Sequence, residues 1–421
     1  MKSPKNVKRQ FPKVSELAPL LKFKMPTIHR KKARLAKAYT IWDLRAIAKK
    51  RTPKGPFDYT DGSAESELSL DRARAAYTNI EFIPNILRDV SKVDITRETL
   101  GKKFEMPFGL APTGFTRMMQ TEGERAVARA GEKFGIPYTL STLGTTTIED
   151  VVAAAPNGDN WFQLYMWKDR DASMALVDRA KKAGVNTLML TVDVPVAGHR
   201  LRDSYNGLTV PPSLTVKTLI NAIPRPNWWM NFLTTPGINF ASLSSWNGTV
   251  AELLDFMFDP TMTFEDFKWI REQWDGNLII KGVQNLDDAK KAAKLGADAV
   301  LLSNHGGRQI DRAQVPLHLL ADIKKEFKKD YELHIDTGIM HGADVLAALA
   351  LGADFAYVGR AYLYGLMAGG QEGVERMLTI MQSEMVRTMK LLGVNSLKEL
   401  EPKHVQILQT HAGLGRLPEG K

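Results

Sequence analysis

Cysteine is absent from all 421 residues. Disulfides, thiolate metal sites and cysteine nucleophiles are therefore excluded. No apolar run approaches the ~20 residues that span a bilayer. The N-terminus also lacks the apolar core of a signal peptide, so a cytoplasmic protein is expected. No Gly-x-Gly-x-x-Gly run follows a strand, so a Rossmann dinucleotide site is not indicated. Acidic residues are scarce at the start: residues 1–54 hold 17 Lys or Arg against only Glu16 and Asp43. Such an arm either touches an anionic membrane surface peripherally or is a solvated tail. It lacks the interleaved aromatics of a stacking platform, so no nucleic-acid partner is expected.

What is present is a repeat of eight short apolar runs: Pro107–Pro112, Ile136–Ser141, Trp161–Tyr165, Thr187–Asp193, Leu278–Lys281, Ala299–His305, Leu333–Asp336 and Phe355–Arg360. Most lead into a helical pattern. Eightfold strand-helix alternation predicts an α/β fold, a TIM (β/α)8 barrel, with an N-terminal helical extension and a long insertion after the fourth strand. Barrels of this kind place their active sites at the C-terminal strand ends. The glycines in Lys182-Ala-Gly-Val, Lys294-Leu-Gly-Ala and Ala350-Leu-Gly-Ala predict left-handed helix stops before strands. Thr40 is expected to cap a helix over 41–50, residues 71–77 are a second helical candidate, and Thr121 with Glu124 reads as a capping box.

Three regions follow: a basic, proline-broken arm at 1–37, a barrel body at 38–400, and a tail at 401–421. The body carries an excursion at about 195–262, where a βα loop usually has ~2–6 residues. This excursion holds Trp228, Trp229 and Trp246. It reads as a lid or docking surface, or as packed decoration.

The strand ends carry the chemistry. His305 and Arg308 lie in Ser303-Asn-His-Gly-Gly-Arg-Gln309, where two glycines permit close approach to a ligand. A histidine beside an arginine suits a general base acting on an anionic substrate. Asp193, ending the fourth strand, could orient that histidine or cap a turn. Arg200 is a second cation. Lys281 is a Schiff-base nucleophile or an electrostatic stabiliser, which keeps a non-redox phosphate-binding barrel enzyme open. Asp336, Gly338, Gly359 and Arg360 suggest a phosphate cradle. Ser141, Gln163 and Thr191 are neutral polar groups suited to a flat heteroaromatic ring. Together they suggest a mononucleotide cofactor such as a flavin. No metal site is expected.

Those segments, with Ala111-Pro-Thr-Gly114, Leu140-Ser-Thr142, Phe162-Gln-Leu-Tyr165, Thr191-Val-Asp193, Ile280-Lys-Gly282, Asp336-Thr-Gly338 and Gly359-Arg360, carry a family resemblance over about residues 40–400. The chain resembles the FMN-dependent L-2-hydroxy acid dehydrogenases and oxidases, and within them the quinone-linked bacterial L-lactate dehydrogenases. The resemblance implies FMN, a small 2-hydroxy acid substrate, quinone or O2 as electron acceptor, and a homo-oligomer, a tetramer by family likeness. It implies His305 as base, Asp193 as its partner and Tyr165 as a bond to the substrate oxygen. Arg200 and Arg308 would hold the substrate carboxylate. Pro112, Thr113, Ser141, Gln163 and Thr191 would contact the ring, and Lys281 its N1 edge. Asp336, Gly338, Gly359 and Arg360 would bind ribityl and phosphate. Two positions depart from the pattern. Position 57, placed at the substrate carboxylate, is Phe57 and brings no hydroxyl. Position 340, where many members have a phosphate-binding arginine, is Met340, leaving Arg360, backbone donors or His341.

Overall fold

The computed structural model describes residues 11, 13–20, 29–207, 209–210, 220–238, 248–249, 257–327 and 331–408. The eight apolar runs become eight parallel strands: β1 Phe108–Leu110, β2 Tyr138–Ser141, β3 Asn160–Tyr165, β4 Thr187–Thr191, β5 Asn277–Val283, β6 Ala299–Leu302, β7 Glu332–Ile335 and β8 Phe355–Val358. They pair in chain order, and β8 closes onto β1 through Val358 and Leu110. The predicted TIM barrel is thus the fold.

Side chains alternate between two cores. Trp161, Met189, Ile279, Ala299, Leu301, Phe355 and Tyr357 form one cluster with Phe104. Their sequence neighbours Phe162, Leu188, Leu190, Leu278, Ile280, Val300 and Leu302 join the other, larger cluster with the surrounding helices. The period of two explains this: one face of each strand lines the barrel interior and the other meets the helices. Following the interior face upward from these residues reaches Gln163, Tyr165, Thr191, Lys281, Ser303 and Asp336. Register sets their height. Tyr165 pairs with Thr191, and Thr191 with Lys281. Beneath, the hairpin Arg97–Thr99/Lys102–Phe104 presses Phe104 edge-on to Trp161 at 6.1 Å.

Local signals behave as the sequence predicts at several points. Thr40 accepts from Asp43 N and opens the helix Ile41–Arg51. Gly184, Gly296 and Gly352 have φ of +84°, +97° and +114°. The candidate helix at 71–77 is longer, Leu68–Thr78.

Other readings need correction. Thr121 caps nothing: the helix is Gly123–Phe134, and its N-cap Glu122 makes no side-chain cap bond. Glu124 is instead fully buried and accepts from Thr145 N and Oγ1 and Thr146 Oγ1, tethering the loop after β2. The arm is not irregular throughout, because Arg30–Ala36 is helical and buries Leu35. The tail begins later than residue 401, since Val405–Ile407 pairs antiparallel with Ile80–Phe82. Within the excursion, Leu201–Asn206 and Pro226–Thr234 are helices. Trp228 turns inward, bonding Met118 O at 3.0 Å and stacking on Phe232 at 5.0 Å. Among the described residues there, Val196, Tyr205, Ile220, Ile223, Met230 and Leu233 are exposed. Trp246 lies outside the described residues. Among the described residues, no helix is long and apolar enough to cross a membrane.

Candidate active site

A cavity of about 420 Å³ opens at the C-terminal ends of the strands. Its wall includes Pro112, Thr113, Tyr165, Thr191, Lys281, His305, Arg308, Asp336, Gly338, Gly359 and Arg360, all from strand ends, and Arg200 from the excursion. Strand closure therefore gathers residues scattered over some 250 positions.

His305 sits past the end of β6, in the short turn His305–Gly307, with φ +58°. Asn304 caps that turn by accepting from Gly307 N at 3.0 Å. A left-handed histidine is uncommon and is held by its surroundings. Its backbone N donates to Ser303 Oγ at 3.0 Å. Its Nδ1 donates to Asp193 Oδ1 at 3.0 Å, which leaves Nε2 facing the Tyr165 hydroxyl at 3.4 Å. The Asp193 side chain is 3 % exposed, behind the histidine rather than on the cavity wall. Gly282, at φ +108°, makes this possible, because a Cβ there would lie 2.6 Å from Asp193 Cβ and Cγ.

The electrostatics favour a neutral imidazole at neutral pH. Burial lowers the His305 pKa, Asp193 opposes that, and Lys281 and Arg308 reinforce it, leaving the net value below the ordinary one. Burial alone would raise Asp193, but His305 and Lys281 hold its carboxyl below the usual range. Burial, with Asp193 nearby, pushes the Tyr165 hydroxyl up, so it stays protonated and can donate.

Two cations face this pair. Arg308 is driven down to about 10 by burial and then by Arg200. Its Nη1 donates to Tyr59 O and Gly62 O, while buried Nη2 has no hydrogen-bond partner among the described residues. Both guanidinium groups lie over the Tyr59 ring, Arg308 at 4.7 Å and Arg200 at 5.6 Å. Arg200 is half-buried and lies 3.7 Å from Asp203, so the two neighbouring cations, with Arg308 Nη2 unpaired among the described residues, form a receptor for an anion, and a carboxylate suits the planar fork.

On the other side, Lys281 Nζ donates to Ser303 Oγ at 3.1 Å and lies 3.7 Å from Asp336 Oδ2. Ser141 Oγ donates to Gln163 Oε1 at 3.0 Å. Both residues are buried beneath the wall rather than on it. Gln163 Nε2 and Thr191 Oγ1 have no partner among the described residues. Thr113 Oγ1 bonds the Tyr362 hydroxyl.

One expected residue is misplaced. Phe57 does not reach the cavity. It is buried against Tyr364, ring centroids 6.3 Å apart, and under the Arg45 guanidinium at 5.7 Å. Tyr59 faces the cavity instead. Both lie on the helix Lys54–Asp61, where two positions apart means about 200° of rotation, so only one can face inward. The helix was not separated from its surroundings in the sequence, and with it that choice was hidden. The aromatic hydroxyl is therefore present, two residues later than expected. His341 also stays off the cavity wall: Nδ1 lies 3.4 Å from Glu384 Oε1, and Nε2 accepts from Trp42 Nε1 at 3.3 Å. Sequence reasoning also missed Arg74 and Phe258. Phe258 closes edge-on over Tyr165 at 5.1 Å from the far end of the excursion.

The model of the FMN-dependent dehydrogenase family matches residues 48–407. A Mycobacterium tuberculosis protein provisionally named as an L-lactate dehydrogenase is 55 % identical over 409 residues, 97 % of this chain and 99 % of its own. An L-lactate dehydrogenase of Ectopseudomonas mendocina is 39 % identical over 365 residues, 85 % of this chain and 96 % of its own. Among solved structures, the monotopic membrane protein (S)-mandelate dehydrogenase superposes with a TM-score of 0.84 at 36 % identity, covering 88 % of this chain and all of its own.

Titration by NMR, with the resonance assigned by its loss in His305→Gln, is expected to place the His305 pKa below 6.5. Asp193→Asn should lower it further, because the lost carboxylate favours the imidazolium. The unfolded chain protonates this ring at about 6.5. The stability contributed by the neutral ring is thus present above that pH and lost as pH falls toward the folded value. A value above 6.5 in the wild type would overturn this electrostatic account.

Proposed function

The chain belongs to the FMN-dependent dehydrogenase family, and from that premise we propose that it oxidises an L-2-hydroxy acid, L-lactate in particular, to the 2-oxo acid and passes the electrons to a quinone. FMN is the cofactor of the family, and when bound it supplies the two-electron acceptor. The residues here fit it. Gln163 Nε2 and Thr191 Oγ1 are buried polar atoms suited to ring heteroatoms. Pro112, Thr113 and Ser141 extend that ring site, and Lys281 offers a positive charge at one edge. Asp336, Gly338, Gly359 and Arg360 suit ribityl and phosphate groups.

One observation carries the reading. A neutral His305, backed by Asp193, stands beside Arg308 and Arg200 on the wall of one cavity. Arg308 Nη2 and Arg200 hold the substrate carboxylate, with Tyr59 beside them. That fixes the α-carbon near His305 Nε2 and the substrate oxygen near Tyr165. Oxidation removes two electrons and two protons from the alcohol. His305 accepts one proton, either from the α-carbon or from the hydroxyl, and the electron pair and the second proton would pass to bound FMN. Asp193 stabilises the imidazolium that forms. Membership in a flavin-dependent family replaces the non-redox reading of Lys281, whose charge acts electrostatically.

Lactate is favoured by the names of the 55 % and 39 % identical relatives. The (S)-mandelate dehydrogenase likeness supports a larger 2-hydroxy acid as the second reading. For the acceptor, the exposed Ile220, Ile223, Met230 and Leu233 on the excursion favour a membrane-soluble quinone over O2. The basic N-terminal arm supports peripheral contact with an anionic membrane.

Purified protein should carry FMN and be bleached anaerobically by L-lactate faster than by mandelate. A quinone analogue should reoxidise it faster than O2. The reverse order in either comparison moves the substrate or the acceptor assignment accordingly. His305→Gln should retain FMN and lose about 10²–10⁴-fold in kcat, as removal of a general base does; near-normal turnover would displace His305 from this role.

Tyr59→Phe is expected to raise KM for the hydroxy acid by about 10- to 100-fold, the worth of one hydrogen bond to a charged group. Phe57→Tyr should leave KM unchanged, and the opposite pattern would restore position 57 to the site.

Vesicle sedimentation tests the membrane contact. Anionic vesicles should carry the protein down at low salt and release it at high salt, since screening shortens the reach of surface charge. Deleting residues 1–30 should weaken this while sparing oxidation with a soluble dye. No sedimentation at any salt would remove the membrane part.

A further inference from the structure

We infer that Arg74, on the helix Leu68–Thr78, is a ligand of the cofactor phosphate and supplies the cation that position 340 lacks; this rests on the FMN reading above. A phosphate monoester carries about −1.5 to −2 charges at pH 7, so one buried arginine leaves it under-neutralised. Met340 is buried and brings no charge. Both ring nitrogens of His341 are engaged away from the cavity. Of the other arginines on this wall, Arg200 and Arg308 lie over Tyr59 at the His305 end, Arg45 gives two nitrogens to Asp61, and Arg202 gives one each to Asp61 and Glu67. Arg360 and Arg74 remain on the wall.

Arg74 is held where a phosphate ligand needs to be. Its Nη1 donates to Gly338 O, in the turn that ends β7, and to Asp344 Oδ2 at 2.6 Å. The Asp344 charge is shared with the start of the helix Gly342–Ala350, accepting from Met340 N and His341 N at 2.8 and 3.0 Å. Arg74 Nη2 and Nε take no partner among the described residues, and 18 % of the side chain stays accessible. The helix and the turn are locked together. A Cβ on Gly338 would lie 2.8 Å from Ala73 O and 3.1 Å from Tyr77 Cε2. Arg360 is fixed from the opposite side, with Nε on Thr60 O at 3.0 Å and Nη2 on Gly62 O at 2.7 Å. Its Nη1 would lie 2.8 Å from a Cβ on Gly306. Two arginines, each anchored by its other nitrogens, thus stand on the wall where the glycine turns of β6, β7 and β8 come together.

The test compares FMN with riboflavin, which lacks only the phosphate. Full-length protein, freed of flavin by dialysis, is retitrated with each, following flavin fluorescence. Arg74→Gln should weaken FMN on the order of 10- to 100-fold, as loss of a charge-assisted bond does, and riboflavin by less than about twofold. Adding Met340→Arg to that variant should recover FMN affinity selectively. The ratio of the two affinities is immune to any general loss of stability, because both ligands meet the same protein. Equal losses for both flavins, or unchanged FMN binding, would reduce Arg74 to a brace for the Gly338 turn and overturn the inference. A wild-type protein that binds neither flavin would overturn the cofactor reading beneath it.

Discussion

Closure of the parallel barrel in register is the constraint on which everything else rests. Because β3, β4 and β5 align Tyr165, Thr191 and Lys281, their side chains arrive at one height on one face. The same ladder carries the backbone into the tight turn at His305 and into Gly338 and Gly359. The lower interior is sealed by aromatic packing of Phe104, Trp161, Phe355 and Tyr357. The buried His334 in that lower interior is satisfied by Tyr357, Glu332 and Thr99, whereas polar groups at the open end are left for a ligand to satisfy.

That open end is electrostatically unbalanced by design of its neighbours. Arg200, Arg308, Arg360 and Lys281 line it with Arg74, and burial depresses both Arg308 and Arg360. Desolvated cations crowded together are costly unless anions meet them. Asp193 is reserved for His305, and Asp336 lies beside Lys281. Asp203 lies 3.7 Å from Arg200 and Asp344 pairs with Arg74, yet donors are left over at two ends of the cavity: Arg308 Nη2 beside His305, suited to a carboxylate, and the arginines beside Gly338, suited to a phosphate. Burial, reinforced by Lys281 and Arg308, favours a neutral His305, which is the state a base requires.

Residues outside the barrel complete both ends. The helix Lys54–Asp61 brings Tyr59 beneath Arg200 and Arg308, and the backbone oxygens of Thr60 and Gly62 anchor Arg360 and Arg308. The helix Leu68–Thr78 brings Arg74 to the β7 turn. The excursion after β4 delivers Arg200 at its start and Phe258 near its end. The strand ends supply the reactive core of the cavity, while the flanking segments supply its walls and part of its charge.

The barrel and the places of its strands were legible in the sequence because they depend on local rules; the His305–Asp193 pair and the arginine couple join distant segments and were singled out by the family resemblance. Period-two burial marks a strand, a glycine stop marks the helix before it, and a polar residue ending an apolar run must face the mouth. What was not legible depended on packing between distant segments. Phe57 and Tyr59 are both aromatic and both buried, and only the docked rotation of their helix decides which meets the cavity. Glu124 had the spacing of a capping box, yet tertiary donors on Thr145 and Thr146 outbid the local one. Arg74 carried no motif, and it became part of the site only when Gly338 allowed its helix to close against the turn. The sequence alone determined the repeating strand-helix pattern and hence the ring of chemistry at the strand ends, since backbone geometry forces that alternation. Only the tertiary structure decided which side chains from outside the ring complete the charge, because that depends on docking angles and on which buried donors remain unpaired.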